Sequence, residues 1–232
     1  MFRTILNVFY YPIILIGLAL AIVEIIPVVT YACTHVDRYL CMLYGVGGYV
    51  ALTLLPFVRK NLEWLQTFSH ELTHTVVGLL FFRKIHSFHA ERGTGMISYS
   101  GARLGDLLIG LSPYCLPIFT YAMLIFRLMG AHSMLHIFDV CVGATVAFHI
   151  SCFVKQTGLY QTDIQEQGYF RAFLFIIWGW LFNLSLVLWS LRFGVVDAMC
   201  RLWQAYWSRL VLWSEYVWEW VRLLWEVVVG WF

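Results

Sequence analysis

Long apolar runs separated by short polar links dominate the chain. A helix needs about 20 apolar residues to cross the roughly 30 Å hydrocarbon core of a bilayer. Runs near 5–31, 39–58, 62–82, 104–129, 133–154 and 169–192 are candidates for such spans. The first, Ile5 to Tyr31, follows the single basic residue Arg3 and reads as a retained helix rather than a removed signal. Glu24 and Pro27 interrupt it, and Glu24 reads as a helix-end carboxylate turned to the interior. Gly45, Gly47 and Gly48 in the second run predict close helix packing. Between the third and fourth runs the period changes. Ile85 to Ala90 and Met96 to Ser100 alternate apolar and polar residues around Glu91-Arg92-Gly93-Thr94-Gly95, which predicts a β-hairpin over 84–101. Pro113 and Pro117 predict a kink in the fourth run. In the tail, 198–232, polar residues from Arg201 to Glu226 recur largely at helical steps among Trp203, Trp207, Trp213, Trp218, Trp220 and Trp225. That pattern predicts an amphipathic helix lying in the membrane interface, with a seventh span packed in an oligomer as the second reading.

Composition moves the whole chain into the bilayer. Hydrophobic residues make up 61% and charged residues 12%, against about 45–50% and about 25% in soluble domains. The fold class expected is an all-α polytopic membrane protein with six spans, a small membrane-associated hairpin and the tryptophan-rich C-terminal helix. One membrane domain, 1–197, precedes that helix, and the lipid bilayer is its first partner. A net charge of +2 with no basic run excludes a nucleic-acid partner. The six cysteines form no C-x-x-C pair and read as small buried hydrophobes.

Against this apolar background one pentapeptide stands out, His70-Glu71-Leu72-Thr73-His74 in the run 62–82. Residues four apart share a helix face. Two imidazoles at that spacing can reach one Zn²⁺ at about 2 Å, and the glutamate between them is placed to act as general base. Ionisable groups in an apolar helix are costly unless they have a function. A catalytic zinc takes three protein ligands and leaves one position open. Asp163, Asp139, His149, Glu166 and Asp106 all have suitable chemistry for the third, and composition does not choose among them. His132, His136 and Asp139 also share a helical face, read here as a polar stripe in preference to a second metal site.

At these residues the chain resembles the site-2 proteases, the intramembrane zinc metalloproteases, in their short form without a PDZ domain. The resemblance covers roughly residues 60–190. It rests on His70-Glu71-Leu72-Thr73-His74, on the hairpin ending in Tyr99-Ser100-Gly101, on Leu111-Ser112-Pro113-Tyr114 where the family has an Ala-Gly-Pro-like stretch, and on Gln161-Thr162-Asp163-Ile164 in the polar loop 155–168. Thr73 stands where the family often has glycine, and Asp163 lacks the following glycine of longer members. The resemblance implies that Asp163 completes a zinc site with His70 and His74.

The expected function is therefore an intramembrane zinc endopeptidase with Glu71 as general base and a transmembrane segment of another protein as substrate. Met96, Ile97, Ser98, Tyr99 and Ser100 would offer that substrate a strand edge. His149 and Asn183 are candidate oxyanion donors, and Asp139 a further polar contact. The basic residues lean slightly towards placing the hairpin and the Asp163 loop on the cytoplasmic side, in agreement with the resemblance. A transporter or channel with a polar intramembrane pathway, and an inactive protease-like scaffold, are the alternatives.

Overall fold

The computed structural model describes residues 2–101 and 105–229, with side chains from 10 to 228. The start of the fourth expected run, at 104, and the last three residues of the expected tail lie outside the described residues.

Helix α1 runs unbroken over Phe2–Thr34, so Glu24 and Pro27 do not interrupt it. Both Pro12 and Pro27 sit within it, as spanning helices allow where neighbours satisfy the freed carbonyls. A short 3₁₀ turn leads into α2, Leu40–Thr53. Leu55 is extended and Pro56 opens α3, Pro56–Leu80. Proline disfavours helical backbone in the residue before it and is well placed in a first helical turn. The axes of α2 and α3 meet at 109°.

The hairpin follows directly. Strands β1, Lys84–Glu91, and β2, Thr94–Ser100, pair antiparallel from Lys84↔Ser100 to Glu91↔Thr94, with an irregularity between Ile85 and Ser87. The turn is Arg92-Gly93, and Gly93 takes φ +77°. Thr94 and Gly95, expected in the turn, are strand residues. Trp64, near the start of the expected third span, donates its indole N–H to Ala90 O at 3.1 Å and stacks on Phe68. It anchors the hairpin to α3.

Helices α4, Asp106–Cys115, and α5, Ile118–Met129, are bent by 79° at Leu116-Pro117. Pro113 is carried inside α4, so the break comes at the second proline alone. Then come α6, Leu135–Gln156; the short α7, Thr162–Gln167; α8, Tyr169–Phe193; and α9, Val195–Val229.

Among the described residues, fewer than the six expected spans are found. Three helices, α1, α6 and α8, are long and apolar enough to cross a membrane, or five spans if the bent pairs α2–α3 and α4–α5 each count as one. The difference lies at α2 and α3. Fourteen residues make α2 only about 21 Å long, and α3 carries Arg59, Lys60, Glu63 and the three motif groups.

Helices α2 and α6 pack backbone against backbone. A Cβ on Gly45 would overlap Val140 O, and one on Gly143 would overlap Met42 O. A Cβ on Gly47 or Gly48 would meet nothing within 4 Å, so Gly45 alone does what the glycine-rich run predicts. Of the six cysteines, all free thiols, only Cys115 and Cys152 are buried. One core cluster joins α1, α4, α7 and α8 around Ile14, Leu111, Tyr114, Ile164 and Ile176. It lies beneath the candidate site. Glu24 is buried and forms an ion pair with Arg209, while Trp189 Nε1 donates to its other oxygen at 3.3 Å. This pair fastens the first half of α9 to α1. Trp203, Trp207, Trp218, Trp220 and Trp225 are exposed along α9.

Candidate metal centre

Helical spacing puts His70 and His74 on one face of α3, their rings 4.9 Å apart. The α7 segment supplies the third group. Ile164 is fully buried and pins α7 to the core, which turns the neighbouring Asp163 towards the histidines. Asp163 Oδ2 lies 3.4 Å from His70 Nε2 and 3.3 Å from His74 Nε2. The three groups each offer a ligand atom within 4.8 Å of the others. A tetrahedral zinc with bonds of about 2.0–2.1 Å holds its ligand atoms about 3.3–3.4 Å apart. The two Asp163 separations therefore match edges of a zinc tetrahedron and exceed the usual N–H···O range of about 2.7–3.2 Å.

The surroundings orient these donors. His74 Nδ1–H donates to Ile109 O at 2.7 Å, which leaves Nε2 with its lone pair facing Asp163. Fixing the tautomer through the second ring nitrogen is how metal-binding histidines are held. Tyr114 donates its phenol to Asp163 Oδ2 at 3.1 Å, and its ring meets His70 edge-on at 5.2 Å. Trp180 Nε1 in turn donates to Tyr114 O at 2.8 Å. Two imidazoles and one carboxylate, held in this way, fit a zinc ion.

Glu71 is buried and lines the same cavity, about 870 Å³, as His70, His74 and Asp163. Strand β2 borders it from Thr94 to Ile97. Gly95 passes so close that a Cβ there would overlap Glu71 Oε1 and lie 2.7 Å from its Cγ. A second opening of about 310 Å³ is lined by His74, Asp163, Glu166 and residues Ile97, Ser98 and Tyr99. Met96 and Ile97 thus line the larger space and Ile97, Ser98 and Tyr99 the smaller. Ser100 lines neither, and its hydroxyl pairs with His86 Nε2 at 2.7 Å. Strand β2 pairs with β1 alone among the described residues.

The remaining sequence candidates sit elsewhere. Asp139 is bound to Arg127 Nε at 2.6 Å, and Arg127 also donates to Ser190 O and Leu191 O. Asn183 donates to Cys115 O at 2.9 Å and Gly179 O at 2.7 Å and bonds Tyr121 through its oxygen. It clamps the α4–α5 bend and has no group directed at His70 or Glu71. His149 stacks on Trp180 at 4.9 Å and lines neither space. Asp106 pairs with Arg83. Sequence reasoning gives no role to Tyr114 or to Gly95. Both lie within the stretches that carry the resemblance, but their partners are 49 and 24 residues away in the chain, respectively.

Compared with known proteins, the chain matches no family model, no curated protein and no solved structure.

Proposed function

We propose that the protein is an intramembrane zinc endopeptidase that cleaves transmembrane segments of other membrane proteins. The observation that carries this reading is the spacing of Asp163 Oδ2 from two histidine Nε2 atoms, 3.3 and 3.4 Å, beside a buried glutamate in an open cavity. His70, His74 and Asp163 would hold the ion. When bound, zinc would polarise the scissile carbonyl and bring the pKa of a water towards about 7.

The chain's own groups do the rest. Glu71 takes the proton from the attacking water and returns it to the leaving amine. Tyr114 holds Asp163 in position. A helix hides its own peptide bonds, so the substrate segment must unwind locally. The free side of β2 then offers it backbone partners beside Glu71. Asn183 and His149, engaged as they are with other groups, have no part in this chemistry.

The test is cleavage of single-span substrates by the purified protein and by Glu71→Gln. Cleavage by the wild type and about 10²-fold or greater loss in the variant, with zinc retained, supports the reading. Equal rates in the two would sink it.

A further inference from the structure

The larger space has a charged rim that the proposed chemistry does not use. Arg59, in the first turn of α3, Arg92, in the hairpin turn, and Lys155, at the end of α6, all line it. All three are exposed. Glu63 is the one acidic residue among the lining groups outside the site itself. No ion pair joins it to any of the three cations among the described residues. The rim therefore keeps an excess of two positive charges. The other opening differs in sign, since Glu166 lines it and no cation does. His74, Asp163 and Ile97 line both spaces. A chain laid along β2 would pass from a cationic mouth, across the candidate metal site, to an acidic one.

From this charge complementarity we infer that the protein selects substrates carrying acidic side chains on one side of the scissile bond, read by Arg59, Arg92 and Lys155. The inference rests on the peptidase reading and names its substrate class. Distances along α3 locate the acidic positions. Lys155 Nζ donates to Gln66 Oε1 at 3.2 Å, and Gln66 stands one turn, about 6 Å, before His70. An extended peptide covers that in about two residues, and the roughly 16 Å from Arg59 to His70 in about five. Acidic residues about two and about five positions from the scissile bond would meet these cations. An anionic lipid headgroup shares the charge, but these cations line a space that also holds a strand edge and the metal-site residues, which suits an extended peptide.

The experiment measures binding apart from turnover. Glu71→Gln protein, loaded with zinc in nanodiscs of neutral lipid, is titrated with two fluorescent peptides spanning the same unwound segment, one with Glu and one with Lys at those positions. The acidic peptide should bind about tenfold tighter, an advantage shrinking with added salt. Arg59→Gln/Arg92→Gln should erase most of it without loss of zinc. Lys155→Gln is kept for a separate variant because it also breaks the Gln66 contact. Equal affinities, or no binding of either peptide, would overturn the inference. So would a preference that survives in the double variant, or, when the titration is repeated in nanodiscs containing phosphatidylglycerol, that lipid occupying the rim with no discrimination between peptides. Selective binding with no cleavage by the wild type would defeat the peptidase reading and leave acidic-peptide recognition standing.

Discussion

The backbone of Gly95 lies against the carboxylate of Glu71, with no room for a side chain between them. Strand β2 and the proposed general base are thereby in register with each other. The flexible end of Glu71 yields more readily than a paired strand, so Gly95→Ala should displace the carboxylate and leave the fold intact. A misplacement of about 1 Å can cost about 10²-fold in rate. Cleavage by Gly95→Ala is expected to fall by about that factor with zinc content unchanged. Unaltered cleavage would mean that Glu71 is not positioned against the strand.

Tyr114 acts on the site at one remove. Its phenol donates to the Asp163 oxygen that faces both histidines. Partners of this kind are worth about 10–100-fold in metal affinity. Tyr114→Phe keeps the ring against His70 and removes only the donor. Competition with a chelator should show zinc affinity reduced within that range, and an unchanged affinity would remove Tyr114 from the account.

Asp163 and Asp139 have the same chemistry to offer a metal, but their surroundings separate them. Asp163→Ala should lose zinc. Asp139→Ala should keep it and lower the thermal midpoint, because Arg127 would be left partly buried without its carboxylate. Measuring zinc content and melting on both variants distinguishes the two roles, and zinc loss in Asp139→Ala alone would reverse the assignment.

The contact between α2 and α6 gives a stability test. At Gly143 the obstacle is the Met42 backbone, which cannot rotate away. Gly143→Ala should force α2 and α6 apart and cost about 1–3 kcal/mol, as overpacking does. Gly47→Ala meets open space and should leave the thermal midpoint in place.

What the sequence discloses and what it hides follow from range. His70 and His74 are legible because helical geometry alone makes residues four apart neighbours. The hairpin is legible from a change of period, and its turn, Arg92-Gly93, lies within the expected stretch 91–95 but is shorter than it. Asp163 lies 89 residues beyond His74, and only the family resemblance points to it. The Asp139–Arg127 pair hides behind a plausible helical stripe, since the arginine comes from a different helix. The sequence count of six exceeds the three to five spans found among the described residues because apolar composition continues through a bend. Hydropathy averages over Leu54-Leu55-Pro56 and does not register the 109° change of direction. Which glycine meets a neighbouring backbone likewise depends on helix rotation, which composition does not encode.

The central claim is that His70, His74 and Asp163 form one zinc site. It is tested most directly by the zinc-to-protein ratio of the purified protein, measured beside His74→Ala. The account expects about one zinc per chain in the wild type and close to none in the variant. A metal-free wild type prepared without chelators, or zinc retained at full occupancy in His74→Ala, would contradict it.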